Sequence, residues 1–367
     1  MKNFDRINTC GIKKTDALDL ALKAENNRDF SQTLNGITIG LSTGTSGNIG
    51  IFLASERERA KWVAAVLHRV IGFQLHPRKI AFFLRSNSKL YESVNSFFLN
   101  LHFFDLLNSS EANFQRLIDL NADILVAQPS ALLNIAALYI ESGKKHVYKK
   151  IISVAEVLEI ADRNYLEGVF RLKINEVYQC TEGFLASTCR YGKLHLNEDF
   201  LIIEKEYLDT EKKRYNPIIT DLYRRTQPVI RYKLDDILIE GEDCKCGSHF
   251  AVIDQIEGRM DDIIRIIDRS GTLVDIYPDY LRRAISLSSA AIMDYVITQT
   301  DKNILEIYIH NIPALVKKSV ETKIKENISD LLSKFNIEQP EIRFTEYKNQ
   351  DQGTKLRRIK NEYFKKI

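Results

Sequence analysis

The sequence predicts the α/β class: a layered α/β core, an appended antiparallel sheet or barrel, and a small α+β C-terminal domain. Three observations carry that expectation. From Gly36 to about Gln128, short apolar runs alternate with amphipathic helical stretches, the pattern of helices layered on a sheet. After Tyr191 the pattern becomes alternating, turn-punctuated strands. A second change follows Gly258-Arg259-Met260-Asp261-Asp262 and places a boundary near Asp261, with a core over residues 1–260 and a mobile cap over 261–367.

The elements follow in order. Residues 36–41 read as a strand, 42–50 as a loop and 51–54 as a second strand. Ser55-Glu56-Arg57-Glu58 has the Ser-x-x-Glu spacing of a capping box and opens a helix through about Val70. Residues 79–84 read as a buried strand, 91–99 as a helix and 123–127 as a strand, and Pro129 starts a helix through Glu141 because proline is tolerated at a first helical position. Strands at 151–154 and 173–178 are separated by helical stretches near 155–160 and 165–170. Strands at 201–204, 216–221, 229–232 and 236–240 suit the antiparallel part. The C-terminal module holds two short strands, a helix at 278–287, strands at 295–300 and 305–310, a long helix at about 313–335 and a strand at 341–344.

Composition excludes several classes. The 52 basic and 49 acidic residues leave a net charge of +3, too little to predict nucleic-acid binding. Met1-Lys2-Asn3-Phe4-Asp5-Arg6 lacks the apolar core of a signal peptide, and no apolar stretch is long enough to span a bilayer, so the expected location is the cytoplasm, away from membranes. Five cysteines in 367 residues do not make a disulfide framework.

The run Leu41-Ser42-Thr43-Gly44-Thr45-Ser46-Gly47-Asn48-Ile49-Gly50 packs hydroxyls and glycines into one turn-forming segment. Glycines let successive N–H groups point into one concavity, and hydroxyls add donors for phosphate oxygens. A nucleotide is the ligand this chemistry suits, although the run alone also fits a Ser/Gly-rich surface loop. It is no Walker A loop, because no Gly-Lys-Ser/Thr ends it. Elsewhere, Cys189 and His195 have C-x5-H spacing and Cys244-Lys245-Cys246-Gly247 is C-x-C with a glycine turn. Together they make a Cys3His set suited to structural Zn2+, against the plainer reading of unliganded cysteines.

This loop, flanked by strands, resembles that of the adenylate-forming superfamily of acyl-CoA synthetases and adenylation domains, and further motifs follow in that family's order. Tyr178-Gln179-Cys180-Thr181-Glu182-Gly183 is similar to its Tyr-x-x-Thr-Glu motif. The resemblance implies that Tyr178 stacks on adenine, Thr181 offers its hydroxyl to phosphate and Glu182 holds Mg2+. Ile152-Ser153-Val154-Ala155-Glu156-Val157-Leu158 resembles the segment lining the adenine and acyl site, which implies roles for Ala155 and Glu156; Glu156 also reads as a first-turn helix residue. Val229-Ile230-Arg231-Tyr232-Lys233-Leu234-Asp235-Asp236 is similar to the Tyr-Arg-x-Gly-Asp stretch, with Asp236 on the ribose hydroxyls and Asp235 where the family has glycine. In Gly258-Arg259-Met260-Asp261-Asp262, Arg259 would reach the nucleotide and Asp261 would be the hinge. Gly353-Thr354-Lys355-Leu356-Arg357-Arg358 resembles the C-terminal loop, with Lys355 as catalytic lysine.

The phosphate loop ends in Gly50 where the family has lysine, a departure that points to the branch of phenylacetate-CoA ligases and deazaflavin-adenylylating synthetases. The stretch before Gly36 is shorter than the family's start, similar in this to truncated adenylating proteins of griseoluteate (phenazine antibiotic) biosynthesis. The resemblance implies an ATP- and Mg2+-dependent ligase that converts a carboxylic acid, aromatic by branch, to an acyl-adenylate and passes it to coenzyme A. Its partners would be small molecules, and a homodimer is left open. Two alternatives stay in view: adenylylation of a non-carboxylate acceptor, and a catalytically impaired nucleotide-binding partner.

Overall fold

Five strands run parallel in the order Ile174–Cys180, Lys150–Val154, Ile124–Ala127, Arg78–Leu84, Leu99–Asp105 in the computed structural model, which describes residues 3–41, 50–72, 76–84, 87, 89–92, 95–96, 98–289, 292, 294–310, 312–346 and 357–363. Their inner members are nearly continuous apolar runs because both faces are covered. Side chains alternate across a strand. Ala81, Phe83, Leu125, Ala127 and Ile151 therefore pack on one side with Phe114, Leu117, Leu132, Ile135 and Leu166 from the helices Ser110–Leu120, Pro129–Ser142 and Ile160–Phe170. Ile80, Phe82, Ile124, Val126 and Ile152 face the other way, onto Trp62 and Ala65 of the helix Glu56–Val66.

The sheet then turns antiparallel. Gly183–Thr188 folds back on Ile174–Cys180, Leu194–Leu196 pairs with it, and Leu194 and His195 pair with Ile253 and Val252. Leu201–Tyr207 and Arg214–Asp221 form a long antiparallel pair. Ahead of the central strands, the helix Lys14–Asn27 buries Ala17 and Ala21 against Ile39, Ile51 and Leu53 of a small antiparallel sheet built from Thr33–Leu34, Ile37–Leu41 and Ile51–Ala54. The chain divides into two compact units: Met1–Leu234, Ile239–Gln255 and Gln352–Lys355 in the first, and Asp235–Leu238, Ile256–Asp351 and Leu356–Ile367 in the second. The second unit carries the antiparallel pair Ile264–Ile267 and Leu273–Ile276, and a sheet in the order Glu341–Phe344, Ile304–Ile309, Tyr295–Asp301, Ile359–Asn361. Its helices Pro278–Ser286 and Ala314–Ser333 bury Leu281, Ile285, Ile324, Ile328 and Leu332 in one core with Ile297, Leu305 and Ile307. Among the described residues, no helix is long and apolar enough to cross a membrane.

Local expectation and structure differ at three places. The helix expected at 91–99 is a single turn, Lys89–Glu92, and Leu99–Asp105 is instead an edge strand paired with Arg78–Leu84. No helix forms at 155–160, because Ala155 takes φ 69°, outside the right-handed helical region, and the helix starts only at Ile160. The strand expected at 229–232 shrinks to Tyr232–Lys233, since Arg231 at φ 44° interrupts it. The strands Gly183–Thr188 and Val252–Arg259 and the helix Ser110–Leu120 were not read from the sequence.

Candidate functional site

Within the first unit, the parallel register sets Val154 opposite Val177 and so brings the turn at Ala155 and Glu156 beside Tyr178, where the strands Lys150–Val154 and Ile174–Cys180 end. Ligands in such sheets bind at this carboxyl edge. Tyr178 is 8% exposed. A register shift between Tyr178 and Gln179 re-aims the residues that follow it. Cys180 and Gly183 then pair, which leaves Thr181 and Glu182 as the two-residue tip of a hairpin. There the Thr181 hydroxyl donates to Glu182 Oε2 at 2.8 Å. Ala155 holds a left-handed backbone conformation that costs a non-glycine residue about 1–3 kcal/mol, the kind of strain that gathers at functional turns. The Glu156 carboxylate accepts from the Ser130 N–H at 3.1 Å and its hydroxyl at 3.2 Å, so it also caps the first turn of Pro129–Ser142.

Trp62, Glu58, Arg224 and Gln227 also hold this edge, and of these the sequence motifs indicated only Glu58, as a helix cap. Trp62 Nε1 donates to Gln179 Oε1 at 3.0 Å, docking Glu56–Val66 on the hairpin. Glu58 completes the capping box with Ser55. Its carboxylate also accepts from the backbone N–H groups of Arg225 and Thr226 and from the Thr226 hydroxyl. Burial pushes the Glu58 carboxyl up, but these donors outweigh it and hold the group below its ordinary value. Arg224 donates to the Thr181 carbonyl and, at 2.8 Å, to Gln227 Oε1. Gln227 in turn accepts from Leu53 N at 3.1 Å and donates to Ile51 O at 3.0 Å. A capping-box glutamate was legible in the sequence; its reach to residues 225 and 226 was not, because only the tertiary fold brings them together.

In the second unit, Asp235, Arg259, Asp261 and Asp262 form one charged group. Arg259 Nη2 lies 3.3 Å from Asp235 Oδ2 and its Nε 3.5 Å from Asp261 Oδ1. The Met260 N–H donates to the Asp235 carbonyl at 2.7 Å. Burial pushes the Arg259 guanidinium down, but the carboxylates of Asp236, Asp261, Asp235 and Asp262 outweigh it and raise it above its ordinary value. Arg357 pairs with Asp262 and lies 3.4 Å from Asp261 Oδ2. Gly258 takes φ 142°, a conformation side chains rarely adopt, which suits glycine at this turn. The residues Ser42, Thr43, Gly44, Thr45, Ser46, Gly47 and Lys355 lie outside the described residues.

Cys189, His195, Cys244 and Cys246 come together with their ligand atoms all within 4.8 Å of one another. Cys189 Sγ and Cys244 Sγ are 3.7 Å apart, and Cys246 Sγ lies 3.4 Å from His195 Nε2. A tetrahedral Zn2+ with bonds of about 2.3 Å to sulfur and about 2.0 Å to nitrogen has edges of roughly 3.5–3.8 Å, which these two distances match. His195 Nδ1 is 2.9 Å from the Phe250 carbonyl, a contact that fixes the proton on Nδ1 and leaves Nε2 as ligand. The N–H groups of Tyr191 and Ser248 donate to the sulfurs of Cys189 and Cys246 at 3.4 Å each, as suits thiolates.

No protein-family model and no curated protein matches the sequence. Solved structures do match. One is a 2-hydroxyisobutyryl-CoA ligase in the postadenylation state in complex with R3-HIB-AMP, with a TM-score of 0.70 at 15% identity over 96% of this chain and 79% of that one. Another is the anthranilate CoA ligase AuaEII in complex with anthranoyl-AMP, with a TM-score of 0.60 at 13% identity over 87% and 66%. A third is the amide bond synthetase McbA from Marinactinospora thermotolerans, with a TM-score of 0.62 at 10% identity over 88% and 67%. The chain thus has the fold of adenylate-forming ligases, a mixed α/β architecture with a small C-terminal domain.

Proposed function

We propose that this protein activates a carboxylic acid with ATP, forming an acyl-adenylate and pyrophosphate, and then transfers the acyl group to the thiol of coenzyme A. The observation that carries the reading is the hairpin tip Thr181–Glu182, set directly after buried Tyr178 and beside the strained Ala155 turn at the carboxyl edge of the sheet. An oxygen of the acid carboxylate attacks the α-phosphorus, the bond to the bridging oxygen breaks, and pyrophosphate leaves with the electron pair. The CoA thiolate then attacks the acyl carbon and AMP departs. Tyr178 offers adenine a flat apolar face, Thr181 donates to phosphate, and Asp236 accepts from the ribose hydroxyls beside Arg259. Mg2+ held by Glu182 would neutralise phosphate charge. Lys355 would bridge the two anions that meet in the first step. Asp261 would be the pivot for a change of pose of the C-terminal domain between the half-reactions, with the domain boundary at 260/261.

The acid is proposed to be aromatic, in keeping with the branch resemblance and with the anthranoyl-AMP bound to one structural neighbour. Trapping with hydroxylamine tests the first step: ATP, Mg2+ and an aryl acid should yield the aryl hydroxamate. No hydroxamate with any acid, together with acid-independent release of pyrophosphate when a hydroxyl acceptor is added, would count against acid activation and favour a non-carboxylate acceptor. Cys189, His195, Cys244 and Cys246 are proposed to hold a structural Zn2+ with no open position. Elemental analysis should give one zinc per chain. Cys246→Ser should lose it together with a large part of the stability, since such sites contribute on the order of 10 kcal/mol.

A further inference from the structure

Resting on the ATP-dependent reading above, we propose that Arg224 supplies the fixed positive charge that holds the β- and γ-phosphates of the nucleotide and stabilises the departing pyrophosphate. The loop between the strands Ile37–Leu41 and Ile51–Ala54 contains no lysine or arginine: residues 42–50 are Ser, Thr, Gly, Thr, Ser, Gly, Asn, Ile and Gly. Hydroxyls and N–H groups are all that it can offer to a polyphosphate carrying three to four negative charges. Besides the Mg2+ and Lys355 of the reading above, a fixed side-chain cation for the outer phosphates would come from another part of the fold.

Arg224 is tied to both sides of the site. Its Nη1 donates to the carbonyl of Thr181 at the hairpin tip, and its Nη2 donates to Gln227 Oε1. Gln227 is bonded to Ile51 and Leu53, the strand that receives the loop. The guanidinium therefore sits in one hydrogen-bonded chain between the loop's exit and the Thr181–Glu182 tip. Both of its acceptors are neutral. Among the described residues no carboxylate forms an ion pair with it, although Asp221, Glu182 and Glu58 act on it electrostatically. Burial pushes the guanidinium down from its ordinary value and those carboxylates only partly restore it. Arg224 is half-buried, and partly withdrawing a guanidinium from water for two neutral acceptors is unfavourable, while an amide or hydroxyl donor would satisfy the same carbonyls. Two of its five N–H groups are used, and the other three carry no bond among the described residues. This is a pre-positioned fork for an anion, and a phosphate is the anion a planar guanidinium fits.

In the acid-activating step the bond between the α-phosphorus and the bridging oxygen breaks, and the charge develops on the β-phosphate. A cation fixed there strengthens its interaction as the bond opens, with no reorganisation at the moment of reaction.

The test is calorimetric binding of Mg-ATP and of AMP to the full chain and to Arg224→Met and Arg224→Lys. Loss of charge-assisted bonds to the outer phosphates should weaken ATP by roughly 10–100-fold in Arg224→Met while AMP affinity stays within about threefold. Arg224→Lys keeps the charge and should retain most of the ATP preference. Equal weakening of ATP and AMP would overturn the proposal, because it would make Arg224 a structural tie alone; unchanged ATP affinity would overturn it as well. If Arg224→Met does not fold, Arg224→Lys decides: a lysine cannot bridge both acceptors, so loss of AMP binding in that variant argues for the structural tie and an intact ATP preference for the charge. A wild-type protein that binds neither nucleotide would instead sink the functional reading itself.

Discussion

Glu58 and Asp262 are two carboxylates drawn from water, one in each unit, and their surroundings push them in opposite directions. Glu58 faces fixed donors, the N–H groups of Ser55, Arg225 and Thr226 and two hydroxyls, and its carboxyl is held below the ordinary 4.5 although burial works against it. Asp262, 6% exposed, faces Arg357 and still sits above the ordinary 3.8, because burial outweighs the neighbouring cation and Asp261 adds repulsion. Five short bonds outweigh the partial burial of Glu58, whereas Arg357, the more distant Arg282 and one 3.3 Å bond from the Arg259 N–H do not outweigh the deeper burial of Asp262. The carboxyl edge of the sheet in the first unit is built in the first way and the charged group around Arg259 in the second.

Breaking the ion pair should have the largest effect. Arg357→Ala leaves Asp262 charged and buried without its main partner and should cost about 3–5 kcal/mol of unfolding free energy, read by denaturant melts at neutral pH. A loss under about 1 kcal/mol would mean that Asp262 takes up a proton or water instead. Glu58→Gln keeps the shape but turns an acceptor of five bonds into an amide, and should cost about 1–3 kcal/mol. Equal costs for the two variants would erase the distinction drawn here.

Acidity sharpens the contrast at smaller amplitude. Since the folded state depresses Glu58, its contribution is complete above 4.5 and is lost as pH falls through the folded value; Glu58→Gln should therefore flatten the acid arm of the stability profile. Asp262 has the opposite sign. Its contribution is complete below 3.8 and is lost as pH rises through its raised value, so Asp262→Asn should remove a decline in stability on the rising side. Urea midpoints across this pH range check both, and parallel shifts in the two variants would refute the assignment.

What could be read beforehand follows the range of the interactions. The strand Ile51–Ala54 and the capping box at Ser55 and Glu58 were legible because both depend on neighbours within four residues. The Cys/His cluster was legible because ligand chemistry leaves a spacing signature, even with 48 residues between His195 and Cys244. The strand Leu99–Asp105 was hidden: Leu-Asn-Leu-His-Phe-Phe-Asp alternates imperfectly, and what makes it a strand is the partner Arg78–Leu84. Tyr178, Thr181 and Glu182 stood out through the order of motifs, whereas Arg224 and Gln227 belong to no local pattern. Their place is set by a fold that brings residue 224 to residue 181 and residue 227 to residue 53.

Pyrophosphate exchange into ATP, measured over a panel of aryl acids with the wild-type chain and with Glu182→Gln, tests the central claim most directly. Exchange that depends on the acid and falls on the order of 10²-fold or more in the variant is the predicted result, since the carboxylate proposed to hold Mg2+ at the hairpin tip would be lost. Nucleotide binding with no exchange for any acid, or exchange that Glu182→Gln leaves untouched, would contradict it.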